Sequence, residues 1–365
     1  MRDIGWVSQR GILLLNVGTP SAPTPQVVGP WLREFLMDPL VLDVPTPLRW
    51  LLVNAFIVPR RKHQSAALYQ RVWTRHGSPL LANMRALAEQ LKSLVGGNEV
   101  RFAMRYGEPS IRDVLAELRA AGVTTLEIVP LYPQYSTAAS ESSVLAVRAA
   151  LTELDWKVQT RWVRPFFDDP AFLDATAAVA RPVLAERPHD AVLFSFHGLP
   201  ERQVKRTDAS GTHCLATPGC CDTIVEANRL CYRAHSYATA RGLAARLLPN
   251  GTPWYVGFQS RLGGGWIKPY SDTWYEQLPK QGIRRIAVLA PSFVSDCLET
   301  LEEISLRGNE AWKANGGEEL FLVPCVNASP EWVTALASII EHASPEWSTD
   351  VRIPAPALEA SASAS

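Results

Sequence analysis

The stretch that most constrains the fold of this chain is residues 191–202, AVLFSFHGLPER. Five apolar residues, interrupted only by Ser195, lead to His197 and then to Gly198 and Pro200. A short apolar run that ends at glycine and proline is typical of a buried parallel strand. Ligands of open α/β sheets bind just outside the carboxyl ends of the strands, so we expect His197 at the rim of a site. A hydrogen-bonded core histidine is the alternative interpretation of this stretch alone.

Short apolar strands separated by helical segments recur along the whole chain. A chain of 365 residues is too long for one ordinary core. Its alternating strands and helices predict parallel sheets built from βαβ units, an α/β fold. GILLLNVGTP (residues 11–20) resembles AVLFSFHGLP, which suggests two similar domains facing a common cleft. We predict domains over 1–165 and 166–343 and a disordered tail over 344–365. The predicted strands are 11–17, 99–105, 125–132, 157–163, 191–196, 254–259, 286–290 and 320–324.

Charge and hydropathy exclude several classes of protein. Lys+Arg and Asp+Glu number 36 each, so the formal net charge is zero, which argues against a nucleic-acid binder with a basic face. The sequence lacks the pattern of a secretory signal, so we expect a cytoplasmic protein. The most apolar long stretch, residues 41–58, contains Asp43, Pro45, Arg49 and Asn54. It therefore cannot span a bilayer, but it suits a surface that rests on a membrane or walls an apolar pocket.

Acidic side chains follow the strand predicted at 286–290. In APSFVSDCLETLEEI (residues 290–304), Asp296, Glu299 and Glu303 are spaced i, i+3, i+7, which predicts carboxylates along one face of a helix. An acidic first turn that complements the helix dipole is the ordinary interpretation. This helix begins on the same side of the sheet as His197, however. A histidine opposite carboxylates suits a divalent cation, or a site that removes protons while a cation arrives.

A glycine-rich loop lies within WYVGFQSRLGGGWIKPYSDT, residues 254–273. Neither phosphate-binding glycine motif is present, which counts against a nucleotide-dependent oxidoreductase. The loop favours Trp266 as an aromatic wall against a flat ligand, with an ordinary glycine turn as the alternative.

Four of the six cysteines, Cys214, Cys220, Cys221 and Cys231, crowd into a predicted insertion over about 207–231. In a chain without an export signal, this crowding favours metal or redox chemistry over disulfides. Four thiolates can hold a [2Fe–2S] cluster or a tetrahedral zinc ion. Adjacent cysteines are unusual for zinc, so we favour the iron–sulfur cluster, and free buried cysteines are the third interpretation.

Taken together, these stretches resemble ferrochelatases, the enzymes that insert Fe(II) into a porphyrin at the end of haem synthesis. The resemblance runs from about residue 11 to 343. It rests on GILLLNVGTP, FAMRYGEPS, PLYPQYSTAASESS, SFHGLPER, FQSRLGGGWIKPYSDT and PSFVSDCLETLEEI. It implies two Rossmann-like, chelatase-type domains that share one porphyrin cleft, and the conversion of protoporphyrin IX and Fe²⁺ to protohaem.

The resemblance also implies roles for individual residues. The catalytic, metal-binding pair of bacterial members falls on His197 and Glu299, and the acidic path on Asp296 and Glu303. The lip over the cleft, which rests on a membrane in animal members, falls on 36–58. Contacts to the porphyrin or its propionates fall on Arg61, Tyr69, Ser78, Arg105, Tyr106 and Trp266.

Two departures from the animal enzymes are visible. The four cysteines lie after His197 rather than in a C-terminal extension, as in bacterial members with an internal [2Fe–2S] cluster. Cys297 stands where animal enzymes have a second histidine.

Two further functions stay open from the sequence: a non-catalytic porphyrin or haem carrier, and a cobalt chelatase of the same fold. The expected partners are porphyrin and Fe²⁺, with no nucleic acid. We expect a monomer, with a dimer as the alternative, and peripheral contact of the lip with the inner face of a membrane.

Overall fold

The computed structural model describes residues 9–248 and 251–347. Within these residues, eight parallel strands form two four-stranded sheets with the same strand order. The first sheet has the order β2-β1-β3-β4 and the second the order β6-β5-β7-β8, and every neighbouring pair is parallel. All eight predicted strands and the α/β class are confirmed. The strands are β1 (Arg10–Gly18), β2 (Glu99–Tyr106), β3 (Thr125–Pro130), β4 (Gln159–Trp162), β5 (Ala191–His197), β6 (Trp254–Gln259), β7 (Arg285–Leu289) and β8 (Glu319–Leu322).

Helices cover both faces of the sheets, which is why the central strands are apolar throughout. All of β5 from Ala191 to Phe196 is buried. Three segments form π-helices: Leu52–Ile57, Thr137–Glu141 and Glu299–Gly308. The α-helices are α1 (Pro25–Met37), α2 (Thr46–Leu51), α3 (Val58–Val72), α4 (Pro79–Val95), α5 (Ile111–Ala120), α6 (Ser142–Glu153), α7 (Pro170–Glu186), α8 (Glu201–Arg206), α9 (Tyr232–Leu247), α10 (Ser271–Gln277), α11 (Asn309–Ala314) and α12 (Pro330–Glu341).

The strand order indicates where a ligand can bind. In the first sheet β2 lies on one side of β1 and β3 on the other, and in the second sheet β6 and β7 flank β5 in the same way. In open α/β sheets, ligands bind at the carboxyl edge where the chain direction switches in this way. In the second sheet this point lies between β5, which ends at His197, and β7, which leads into the acidic segment.

The two halves share a core and are tied together by the C-terminal residues. One continuous apolar cluster contains Ile12 and Val129 of the first half and Phe194 and Trp332 of the second. Helix α12 returns to pack against both α7 and α4.

The first four residues of the predicted tail belong to this fold. The backbones of Ser344 and Trp162 exchange hydrogen bonds of 2.7 and 2.9 Å. The buried indole of Trp347 donates to the Glu141 carboxylate over 3.0 Å. The tail prediction is therefore wrong for residues 344–347, because β4 offers them a pairing edge that the local sequence does not reveal. The rest of the predicted tail lies outside the described residues.

Two helices begin next to irregular turns. Helix α3 begins at Val58, directly after the π-helix Leu52–Ile57. Helix α9 begins at Tyr232, after a 3₁₀ turn at Glu226–Asn228 and the cysteine Cys231. No helix among the described residues is long and apolar enough to cross a membrane.

A buried histidine in α9 gives the fold a dependence on pH. The His235 ring stacks on Phe167 with 3.7 Å between centroids. Its Nδ1 accepts from the Tyr135 backbone N–H over 3.2 Å, and its Nε2 donates to the Arg229 carbonyl over 2.8 Å. The neutral ring is thus fully hydrogen-bonded, and burial lowers the pKa of His235 from 6.5 to about 4.

We expect His235 to make the protein less stable in mild acid. Below pH 6.5 the unfolded state binds a proton that the folded state binds only near pH 4. The contribution of neutral His235 to the free energy of unfolding is therefore fully present above pH 6.5. It is lost as the pH falls from 6.5 towards 4, and the total loss is about 3 kcal/mol. Urea unfolding of wild type and His235→Gln at several pH values measures this. Glutamine fills both hydrogen bonds without titrating, so its curve should be flatter, and an equal slope in the two proteins would contradict the assignment.

Candidate active site

A cleft of about 430 Å³ lies between the two halves, at the carboxyl ends of β5 and β6. The first half contributes mainly apolar and aromatic side chains from α1 and α3. The second half contributes titratable and hydrogen-bonding side chains from the strand ends and the π-helix Glu299–Gly308. One wall therefore suits a flat apolar ligand, and the other suits a cation and protons. The lining residues include Trp31, Phe35, Arg61, Tyr69, His197, Gln259, Ser260, Arg261, Leu262, Glu299, Glu302, Glu303 and Arg307.

His197 lies at the end of β5 and lines the cleft, as the sequence predicts. Its Nδ1 is 2.6 Å from the carbonyl oxygen of Gly198. A carbonyl oxygen only accepts, so this contact assigns the proton to Nδ1 and leaves a lone pair on Nε2. The His197 backbone N–H donates to Ser292 Oγ over 3.2 Å, which ties the strand end to the loop after β7. The side chain therefore has a fixed tautomer and a free basic nitrogen.

Gly198 permits close packing beside His197. A Cβ at this position would lie 2.6 Å from the Gln259 carbonyl oxygen and 3.3 Å from the Trp266 ring. The Gly198 backbone N–H donates to that same carbonyl over 2.8 Å. Any larger residue would push β5 and β6 apart at the cleft.

Glu299 begins a ten-residue π-helix rather than the predicted α-helix. In a π-helix the backbone hydrogen bonds run i→i+5, so residues four or five apart share a face. Glu299 and Glu303 therefore line the cleft together, and Glu302 joins them. π-Helices are rare in proteins, and those that do occur are often found at functional sites.

Asp296 differs from the prediction, because it precedes this helix and does not face the cleft. Its Oδ1 accepts from Thr300 Oγ1 over 3.0 Å, and its Oδ2 accepts from Asn327 Nδ2 over 2.7 Å. The side chain is 8% exposed. Asp296, the first of the three expected carboxylates, therefore binds Asn327, which is 31 residues away, and does not line the cleft with the other two.

Glu302 is a cleft residue that the sequence analysis missed. It is 1% exposed, and its Oε1 lies 2.8 Å from Arg71 of α3. Its Oε2 lies 3.2 Å from Arg307. This carboxylate joins the two halves across one end of the cleft. Its partner Arg71 is 231 residues away, so no local pattern could have indicated the pair.

Two protonated groups surround the Glu299 carboxylate. Burial raises the pKa of the Cys297 thiol well above its usual value, and the hydrogen-bonded Glu299 carboxylate adds to the rise. Burial likewise raises the pKa of Tyr69, with a further rise from the charge of Glu299. Both groups stay protonated at neutral pH, so neither adds a negative charge beside Glu299.

The aromatic wall comes from the first half. Trp31 stacks on Phe35 with 5.8 Å between centroids and meets the edge of Tyr69 at 6.1 Å. The sequence analysis named only Tyr69 of these three. The i, i+4 spacing of Trp31 and Phe35 on α1 was the available signal, but the same spacing is typical of an ordinary core face.

The residues implied as porphyrin contacts divide into two groups. Arg61 and Tyr69 line the cleft. Ser78 lies behind Tyr69: Thr19 Oγ1 donates to Ser78 Oγ over 2.9 Å and also bonds the Tyr69 hydroxyl. Trp266 is half-buried against Gly198 at the far end of the glycine loop.

Arg105 and Tyr106, the remaining two, bind Asp38 at the start of the lip. Asp38 Oδ2 accepts from Arg105 Nη2 over 2.6 Å, from the Tyr106 hydroxyl over 2.8 Å and from Ser142 Oγ over 2.5 Å. The Tyr106 ring also packs edge-on against Phe35, at 5.1 Å. These contacts anchor the lip and support the aromatic wall from behind.

The four clustered cysteines are free and between 1% and 5% exposed. Their sulfurs form a chain of neighbours. Cys220 and Cys221 Sγ are 3.7 Å apart, and Cys231 is in thiol hydrogen-bond contact with both Cys221 and Cys214. Two thiolates on one tetrahedral metal, with bonds of about 2.3 Å, lie about 3.8 Å apart. Arg233 Nη1 also donates to Cys221 Sγ over 3.1 Å.

The donor set and the spacing of the adjacent pair therefore fit a thiolate-ligated metal group. The four sulfur atoms form a chain of contacts, however, and do not surround one common centre. Across residues 9–248 and 251–347, no three His, Cys, Asp or Glu side chains are placed to hold one metal ion.

Known proteins resemble this chain over nearly its whole length. A family model described as Ferrochelatase matches residues 9–344. The ferrochelatase of Pseudomonas entomophila (strain L48) is 43% identical over 340 residues, covering 92% of this chain and 100% of the relative. That of Azotobacter vinelandii is 43% identical over 335 residues, covering 91% and 98%.

Solved structures agree on the fold. SirB from Bacillus subtilis with Fe³⁺ superposes with a TM-score of 0.52 at 13% identity, covering 91% of this chain and 94% of the other. The sirohydrochlorin chelatase SirB from Bacillus subtilis subspecies spizizenii with cobalt gives 0.51 at 11% identity, with the same coverage. At these identities the likeness concerns the fold alone.

Proposed function

The chain belongs to the ferrochelatase family, and we propose that it inserts Fe(II) into protoporphyrin IX to form protohaem, with His197 and Glu299 as the reacting side chains. The observation that carries the assignment of these residues is their position. Both line a cleft that combines an aromatic wall with carboxylates, at the carboxyl edge of the second sheet.

The reaction removes two protons and adds one dication. A porphyrin releases both pyrrole N–H protons, Fe(II) loses its water ligands, and the neutral metalloporphyrin leaves. His197 Nε2, with its lone pair, accepts a pyrrole proton and can bind iron in passing. The Gly198 carbonyl at Nδ1 stabilises the imidazolium that forms. A histidine suits this step because its ordinary pKa lies near working pH.

Glu299 acts as the second ligand or as the proton relay. The buried Cys297 and Tyr69 beside it stay protonated, so Glu299 is the residue among these three that offers a ligand to a divalent cation. Of the proposed acidic path, Glu303 lines the cleft and Asp296 does not. The Asp296 carboxylate binds Thr300 and Asn327 instead.

The porphyrin would lie against Trp31, Phe35 and Tyr69, with Arg61 available to a propionate. Both walls of the cleft come from one chain, so we propose a monomer as the working unit.

A continuous assay of visible absorbance tests this function. Purified protein, protoporphyrin IX and Fe²⁺ or Zn²⁺ should give multiple turnovers of metalloporphyrin. A carrier would bind porphyrin with a spectral shift but without turnover. Preference for cobalt and a corrinoid precursor over Fe²⁺ and protoporphyrin would indicate the related cobalt chelatase instead, and coproporphyrin as the better substrate would change the product.

We also propose that the four cysteines hold a [2Fe–2S] cluster, with zinc as the alternative. The support is the burial of Cys214, Cys220, Cys221 and Cys231 and their sulfur contacts. Such a cluster would supply cross-links between segments, and a redox centre if it cycles. Tyr232 follows Cys231 directly, and its hydroxyl bonds Ser292 and the His197 backbone. The cysteine segment therefore supports the position of His197 through one residue.

The lip is the proposed site of contact with the inner face of a membrane. Leu48, Trp50, Leu51 and Phe56 are 45–58% exposed on this one segment, and Arg60 follows them. Interfacial segments combine exposed apolar side chains with nearby cations in this way.

The double variant Trp50→Ser/Phe56→Ser should lose more than about tenfold in binding to anionic vesicles, because each large side chain gains about 1.5–3 kcal/mol on burial. Co-sedimentation with phosphatidylglycerol-containing vesicles measures it. Leu94→Ser, at a 53% exposed leucine away from the lip, is the matched control. If wild-type protein stays in the supernatant with these vesicles, the proposed membrane contact is contradicted.

A further inference from the structure

Ser260, the first residue after β6, has a backbone conformation that side-chain-bearing residues rarely adopt. Its φ is +62°, in the left-handed region. Residues held in this region cluster at ligand-binding sites, where surrounding contacts must maintain them. Ser260 lines the cleft, so its conformation affects the wall that a ligand meets.

Glu303 supplies the contacts that maintain it. Glu303 Oε1 accepts the Ser260 backbone N–H over 2.8 Å, and Oε2 accepts the Ser260 hydroxyl over 2.6 Å. Both carboxylate oxygens thus bind Ser260, and Oε2 also accepts a longer contact of 3.5 Å from Gln259 Nε2. Gln259 fixes the same junction, since its amide donates to the Glu299 carbonyl over 2.9 Å.

The conformation of Ser260 sets the direction of the loop 260–265. Arg261 and Leu262 come next and also line the cleft, and Leu262 is 65% exposed. Gly263, Gly264 and Gly265 follow, and a Cβ on any of them would meet nothing within 4 Å. The far end is fixed where Glu201 N–H donates to the Gly265 carbonyl over 2.8 Å. A loop with an unpacked middle takes its path from its two ends.

We propose that Glu303 is a positioning residue: by clamping Ser260 it aims the 260–265 loop along the cleft and so prepares the wall that receives the porphyrin. The inference rests on the proposed function for the identity of the ligand. A cation path would depend on the negative charge of Glu303, whereas the clamp on Ser260 requires only the hydrogen bonds that Glu303 accepts.

Glutamine and alanine at position 303 separate the two roles. In Glu303→Gln the amide oxygen still accepts the Ser260 N–H, and the amide nitrogen can donate to the hydroxyl, so the clamp survives without the charge. Glu303→Ala removes both. In the double variant Glu303→Ala/Ser260→Gly, glycine adopts positive φ without a clamp.

Quenching of the intrinsic protein fluorescence by protoporphyrin IX, with no metal added, measures the effect. We expect E303A to weaken porphyrin binding about tenfold, and E303Q and the double variant to stay within about threefold of wild type. If E303A binds as tightly as wild type, or if E303Q loses as much as E303A, the proposal is overturned.

Limited trypsin digestion gives a readout that needs no porphyrin. Arg261 is paired with Asp272 at 2.6 Å in the clamped loop, so E303A should be cut after Arg261 faster than wild type, and E303Q should not. Equal cleavage of all three overturns the clamp. Wild type that neither binds nor metallates porphyrin would instead overturn the proposed function and leave this digestion as the test. If E303A does not fold, Ser260→Ala removes the 2.6 Å contact from the other side and should show intermediate cleavage.

Discussion

Replacing His197 with alanine should reduce the turnover of iron insertion by about 10²–10⁴-fold while leaving the protein folded. The variant loses the imidazole whose Nε2 lone pair is free to take a pyrrole proton. The side chain is half-buried at a strand end and not in the core, so its loss opens the cleft without unpacking a sheet. Initial rates of metalloporphyrin formation, at saturating porphyrin and metal, measure the effect.

His342→Ala is the matched control for that experiment. His342 is exposed just beyond α12, and its ring contacts only the Ser338 carbonyl among the hydrogen bonds found for it. Its removal should not change the rate. Circular dichroism of both variants separates loss of chemistry from loss of fold. A His197→Ala protein that turns over at a rate close to wild type would show that the proton acceptor lies elsewhere.

Replacing Cys231 with alanine should abolish the broad visible absorbance expected of protein purified without air. Cys231 is 1% exposed and contacts two of the other three sulfurs, so its loss breaks the middle of the chain of thiols. We also expect a fall in activity, because Tyr232 links this segment to Ser292 and the His197 backbone. Absorbance spectra, iron and sulfide content, and metallation rate are the measurements.

Cys325→Ala is the control, since Cys325 is also buried but hydrogen-bonds Asp296 rather than the cluster cysteines. It should keep the full chromophore. Colourless wild-type protein with one zinc per chain would replace the iron–sulfur proposal with the zinc alternative. Protein with neither metal would leave the four cysteines as free buried thiols.

The fold was predictable because its signals are local. Each strand is a short apolar run closed by a turn residue, and each crossover is long enough for a helix, so β5 and its seven counterparts were found within a few residues. His197 was predictable for the same reason, since it ends such a run. The resemblance to a known family then identified Glu299 from motifs that are also local.

The errors arise where a residue's role depends on a distant partner. The spacing of Asp296, Glu299 and Glu303 predicted one α-helical face, but the π-helix changed the period. Asp296 precedes this helix and accepts a hydrogen bond from Asn327, 31 residues away, so that it does not line the cleft. Tertiary hydrogen bonds overrode the local pattern at this point.

By itself, the sequence determined the class of fold, the edge of the sheet where chemistry takes place and the residue types present there, because hydrophobic periodicity and turn chemistry act within about ten residues. Only the tertiary structure decided which carboxylates face the cleft, which arginine holds Glu302, and that Glu303 clamps Ser260. These contacts join residues between 31 and 231 positions apart. Hydrogen bonds and ion pairs over such separations depend on how the two halves pack, and no local pattern of residues encodes that packing.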